Sequence, residues 1–163
     1  MSKIQFVVAS VLIATMFAGA SSMHANGETI LAKFNRAYSG YAADQKANAR
    51  SIIQEATAIG VTDLGQLAYI LATAIGECHV RPIKEYRGTA GTSHRARQDR
   101  YWFTGFYGRG FVQLTWRDNY QKFSDLLKID LVGNPDLALN PTYAAKIITY
   151  GMKNGTFTGL RLG

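Results

Sequence analysis

One cysteine, Cys78, stands in 163 residues. No intramolecular disulfide is possible, so the fold must stand on packing, even in an oxidising compartment. Histidine is almost as scarce. His24, His79 and His94 have no ligand spacing, which argues against a metal site. The three prolines all read as boundaries: Pro82 ends an apolar helix, while Pro135 and Pro141 each take the first position of a new one. No apolar run after the N-terminus is long enough to span a bilayer, so stable membrane insertion is not expected. Gly108-Arg109-Gly110 has neither the Walker nor the dinucleotide spacing, which removes a phosphate loop.

What is present is globular. The chain is 47% hydrophobic and 18% charged, and its length suits one domain. Residues 1–20 read as a secretory signal. Lys3 supplies the positive end, Ile4 to Ala20 the apolar run, and Ala18-Gly19-Ala20 the small residues for cleavage, with a later alternative at Ala25. An uncleaved anchor is the alternative reading. The expected product is a single domain over 26–163, secreted or periplasmic, and a monomer.

The charge is uneven. The chain carries 18 Lys and Arg against 11 Asp and Glu. Seven of the cations fall between Arg81 and Gly110, against Glu85 and Asp99. They suit either a solvated loop or attraction to an anionic partner such as a bacterial wall. Nucleic acid would suit the charge too, but no motif supports it.

Apolar periodicity predicts helices over 29–38 and 44–59, the latter stopped by Gly60. Asp63, with Gln66 three residues on, opens a third. That helix, LGQLAYILATAIGECH, is apolar almost all round, which predicts the central buried helix. Residues 87–104 read as a long exposed loop, and 107–116 as a small β element. Helices follow over 119–129 and from Pro141 to a stop at Gly155.

Two carboxylates draw notice. Glu77 ends the apolar helix, where desolvation would raise its pKa as a general acid needs; a helix-end residue reaching solvent is the plain alternative. Glu85 lies among Arg81, Lys84 and Arg87, which would keep it ionised. Glycoside hydrolysis needs such a pair. Cys78-His79 does not make a nucleophile pair, because neighbours on a helix point about 100° apart.

The stretch YGRGFVQLTWRDNY, Tyr107 to Tyr120, resembles the signature of glycoside hydrolase family 19, the lysozyme-like chitinases and related phage endolysins. LAYILATAIGE resembles that family's acid-bearing helix, RPIKEYRG its second carboxylate segment, and LVGNPDLALNPTYAAKIITYGMKNGTFTG the helices after the signature. The resemblance covers roughly Leu64 to Gly159. It implies a mainly α, lysozyme-like (α+β) domain with its small β element beside a sugar cleft. It implies inverting cleavage of β-1,4 bonds next to N-acetylglucosamine, in chitin or peptidoglycan. Glu77 would be the acid, Glu85 the base, and Thr115 would hold the water. Tyr107, Gln113 and Asn119 would line the cleft, with Arg109 bracing it. No cofactor or metal is implied. The family's further C-terminal segment has no counterpart here, so a weak or inactive wall-polysaccharide binder is the alternative expectation.

Overall fold

The computed structural model describes residues 25–157 and 162. The signal sequence expected over 1–20 lies outside the described residues. The fold is mainly helical with a small two-stranded sheet, as the sequence led us to expect. In order come α1 over 25–37, α2 (Ala43–Ala58), α3 (Leu64–Cys78), β1 (Ile83–Lys84), α4 (Ser93–Gln98), a 3₁₀ turn (Trp102–Thr104), β2 (Arg109–Gly110), α5 (Arg117–Leu127), a second 3₁₀ turn (Pro135–Leu139) and α6 (Pro141–Lys153).

Two apolar clusters form the core. The first joins Ile30, Leu31 and Phe34 of α1 to Ile52 and Ile53 of α2, Leu67, Ile70 and Leu71 of α3, and Ala144, Ala145 and Ile148 of α6. The second holds Leu114, Tyr120, Phe123, Leu131, Ala138 and Ile147. Helix α6 serves both. Ile147 turns toward α5 while its neighbours Ala145 and Ile148 pack on the other side, the divergence expected of successive residues on a helix.

Helix α3 is not buried all round. Leu67, Ile70, Leu71, Ala74 and Cys78 form its inner stripe. Leu64, Ala68, Tyr69, Ala72 and Gly76 face outward and are exposed. Several outward residues are apolar in type but small, so they present little surface to water. The sequence average hid the difference between the faces. The helix starts as predicted, with Asp63 accepting from the Gln66 N–H at 2.9 Å.

Beyond α3 the chain turns through His79 and Val80, both left-handed, with φ of 51° and 58°. Two amides from α2 hold the turn. Gln45 Nε2 donates to the His79 carbonyl at 2.8 Å and Asn48 Nδ2 to the Val80 carbonyl at 2.9 Å. The chain then enters β1, which pairs antiparallel with β2, Ile83 opposite Gly110 and Lys84 opposite Arg109.

The segment expected to be a long exposed loop is partly ordered structure. Thr92 caps α4 by accepting from the Arg95 N–H at 3.2 Å, and Gln98 at its end is fully buried. The β element is also smaller than expected at 107–116. Only Arg109 and Gly110 are strand. Arg109 and Leu114 exchange two backbone hydrogen bonds, at 2.8 and 3.2 Å, closing a four-residue loop between them. Gly110 (φ 81°) and Gln113 (φ 51°) make its corners. Phe111 at the loop is fully buried in the first cluster, which contributes about 2–3 kcal/mol.

Candidate active site

Glu85 follows β1 and faces the hairpin. Its backbone N–H donates to the Gly108 carbonyl at 2.7 Å, and the Gly108 N–H returns a bond to Glu85 Oε2 at 2.9 Å. Oε1 accepts from Tyr101 Oη at 2.6 Å and from Gln98 Nε2 at 2.8 Å. Gln98 is itself locked: its amide also donates to the Tyr86 carbonyl at 2.8 Å and accepts from the Gly88 N–H at 2.7 Å.

A carboxylate offers about four acceptor sites. Three donors leave one, on Oε2. Burial alone would push the Glu85 pKa up. The bonds from Tyr101, Gln98 and the Gly108 N–H, with the charge of His94 nearby, outweigh it and hold the carboxyl below its ordinary range. Glu85 is therefore an ionised acceptor with one position open. Tyr101 feels the reverse: burial and the adjacent carboxylate push its phenol up to about 12, so it remains a donor.

The sequence expectation for Glu85 needs correcting in its cause. Arg81, Lys84 and Arg87 do not hold it. Arg81 pairs with Asp44, Lys84 with Asp136 and Arg87 with Asp99. Neutral donors do the work, and two of them come from the segment taken for a loop. Thr92, a capping residue three positions before Arg95, was the signal that could have revealed α4.

Glu77 lies on the last turn of α3 and is exposed, so the desolvation expected of it is absent; Cys78 is the residue that turns inward. Cys78 Sγ bonds the Ala74 carbonyl at 3.2 Å, and burial pushes its thiol up to about 11.

Arg109 is buried in the centre of the hairpin. Nε donates to Asp136 Oδ1 at 2.8 Å. One terminal nitrogen donates to the carbonyls of Gly105 and Tyr107 and to Tyr120 Oη, at 2.9, 3.2 and 3.0 Å. Asp136 also takes Lys84 at 2.8 Å, so one carboxylate ties β1 to β2. Tyr107 has neither ring face free. Trp102 stacks on one face, centroids 4.5 Å apart, and the Arg109 guanidinium lies 3.9 Å from its centroid. Its ring cannot serve as a stacking surface for a sugar.

Gln113 does not sit on one strand face with Thr115, because its left-handed conformation breaks the alternation. Its amide nitrogen donates to the carbonyls of Ile83 and Gly110, both at 3.1 Å. Thr115 Oγ1 donates to the Gln113 carbonyl at 2.8 Å, and Asn119 Nδ2 to the Thr115 carbonyl at 2.8 Å. The Gln113 and Thr115 donors are thus spent on the backbone, as is one of the two Asn119 Nδ2 hydrogens. The acceptors Gln113 Oε1, Asn119 Oδ1 and the Thr115 Oγ1 lone pairs remain open among the described residues. Such a row suits a ligand rich in O–H and N–H groups.

Among the described residues, no group of His, Cys, Asp and Glu could hold a metal ion, and no helix is long and apolar enough to cross a membrane. A cavity of about 270 Å³ between α1 and α3, lined by residues such as Phe34, Tyr38, Leu71 and Ile75, contains no carboxylate.

A stretch of 32 residues is related in sequence to plant chitinases. It is 59% identical to chitinase 8 of Oryza sativa subsp. japonica and 50% identical to the endochitinase of Carica papaya. These matches cover 20% of this chain, and only 12% and 13% of the two relatives. Chitinase C from Streptomyces griseus HUT6037 superposes over 77% of this chain and 47% of its own, at a TM-score of 0.34 and 23% identity. No protein-family model matches the chain.

Proposed function

We propose that this chain is a glycosidase that hydrolyses β-1,4 bonds next to N-acetylglucosamine, in chitin or peptidoglycan. The observation that carries the reading is Glu85, an ionised carboxylate with one acceptor position open among the described residues, across Gly108 from the Gln113 side chain. The stretch related to plant chitinases supports the same class.

In the inverting scheme, a water rests against Glu85 Oε2 and donates its second hydrogen to Thr115 Oγ1. Its oxygen attacks the anomeric carbon as the C–O bond to the leaving sugar breaks. Glu85 takes the proton of the water, and Glu77 gives its own to the leaving oxygen. Room for that water requires carboxyls about 6.5–9.5 Å apart. Gln113 and Asn119 accept from the acetamido N–H and the hydroxyls. Export through the N-terminal signal belongs to this reading, and N-terminal sequencing of the exported protein tests it.

Chitohexaose hydrolysis, followed by reducing ends, tests the roles. Glu77→Gln and Glu85→Gln should each lower kcat by about 100-fold or more. An unchanged rate in either variant removes that residue. Proton NMR of the first product should show the α-anomer.

The exposure of Glu77 favours a second reading, a wall-polysaccharide binder without catalysis. Retention on chitin or peptidoglycan with no hydrolysis of either would select it.

A further inference from the structure

Trp116 is the feature the scheme above leaves unused. Its backbone has φ 74° and ψ 136°, a combination favoured by glycine and strained for a side chain of this size. The strain is held, not incidental. The Trp116 N–H donates to the Phe106 carbonyl at 2.9 Å, and its own carbonyl accepts from the N–H groups of Asn119 and Tyr120 at 3.1 and 3.2 Å.

Strain of this kind persists only where the surroundings enforce it. Here its result is an indole turned out of the protein, 45% exposed at the start of α5. Tyr86 and Phe103 are more exposed, at 87% and 78%, but neither has a positive φ. They project by ordinary loop geometry, whereas Trp116 projects against its backbone preference.

The location is specific. The Tyr101 ring meets Trp116 edge-on, with centroids 5.1 Å apart and planes at 65°. The hydroxyl of the same tyrosine lies on Glu85 Oε1. One side chain therefore separates the indole from the carboxylate. Thr115, with its open acceptor, is the adjacent residue. A pyranose ring carries C–H groups on its faces and hydroxyls at its rim. An exposed aromatic face beside a row of acceptors is the surface that receives it.

We propose that Trp116 is a sugar-binding platform, on which one N-acetylglucosamine ring of the polysaccharide stacks next to the Glu85 carboxylate. The inference rests on the polysaccharide reading above. The competing role is purely structural, with the indole serving only to pack Tyr101.

The two roles separate in binding and stability. Chitotetraose is titrated calorimetrically into the full chain carrying Glu77→Gln, so that ligand is not consumed. Adding Trp116→Gly removes the indole and relieves the backbone. Its Tm should hold or rise while Kd weakens about tenfold, the size of one good aromatic contact. Adding Trp116→Phe keeps an aromatic face, and Kd should stay within about threefold. The chain has two tryptophans, Trp102 and Trp116. The change in tryptophan emission on chitotetraose binding should be lost in Trp116→Phe although binding persists. The platform is overturned if Trp116→Gly binds as tightly as its parent, or if the emission change survives in full in Trp116→Phe. The second readout stands even if the glycine variant does not fold. Failure of the parent to bind either chitotetraose or a muropeptide removes the polysaccharide reading itself, and the platform with it.

Discussion

Tyr101 is one hydroxyl on one carboxylate, and its removal has a definite sign. Tyr101→Phe deletes a bond to the ionised form of Glu85, so the Glu85 pKa must rise. The acidic limb of kcat/KM, which reports the free base, should move to higher pH. Stability follows the same linkage. A carboxyl lowered in the folded state stabilises above its unfolded pKa, and that contribution is lost as pH falls through the lowered folded value. Tyr101→Phe should therefore lose urea resistance near pH 7 and converge on wild type once pH has fallen below the lowered folded value. A pH profile unmoved by the variant would show that Glu85 is not the titrating base. Cys78 offers a second check. A buried thiol raised to about 11 should ignore thiol reagents at neutral pH until the chain is unfolded. At this scale Glu85 was visible in sequence, and its ionised state was inferred correctly from the wrong neighbours. Cations adjacent in sequence were turned to Asp44, Asp136 and Asp99. A buried glutamine and a tyrosine, 13 and 16 positions on, took their place.

The hairpin is the element most sensitive to small change. A Cβ at Gly108 would lie 2.8 Å from Gln113 Oε1 and 3.0 Å from Glu85 Cβ. Gly108→Ala should push Glu85 and Gln113 apart and, on the proposed roles of the two, lower kcat much more than Tm. Gly110 differs in kind. Its φ is 81°, and a Cβ there would meet the Ala138 carbonyl at 2.8 Å. Gly110→Ala should cost about 2 kcal/mol or more in chemical unfolding, with strain and clash acting together. Long periodic helices were legible because each has a stripe to bury, and α2, α5 and α6 start and end within a few residues of their sequence signals. The six-residue α4 has no such stripe. Its Ser, Arg and Gln composition reads as loop, and one cap and one buried glutamine hold it. The shape of the hairpin was not legible. Alternation along a strand says nothing of a left-handed residue at 113, which only the closed loop requires.

Across the whole molecule the basic excess survives pairing, but weakened. Of the seven cations between Arg81 and Gly110, five meet carboxylates: Arg81, Lys84, Arg87, Arg95 and Arg109. Arg97 and Arg100 have no acidic partner among the described residues. These two should carry the long-range attraction to an anionic wall. Replacing both with Gln should slow attack on peptidoglycan several-fold at low salt, leave hydrolysis of neutral chitin oligomers unchanged, and lose its effect as salt rises. Equal slowing on both substrates would place the two arginines in the cleft instead. The two cores meet at this scale as well. Phe111 anchors the hairpin in one and Leu114 in the other, while α6 lines both. The halves thus share a keel. In hydrogen exchange, the α6 amides should be the last to open, at the free energy of global unfolding. The hairpin, pinned to both sides of that keel, should keep its order until the molecule as a whole is lost.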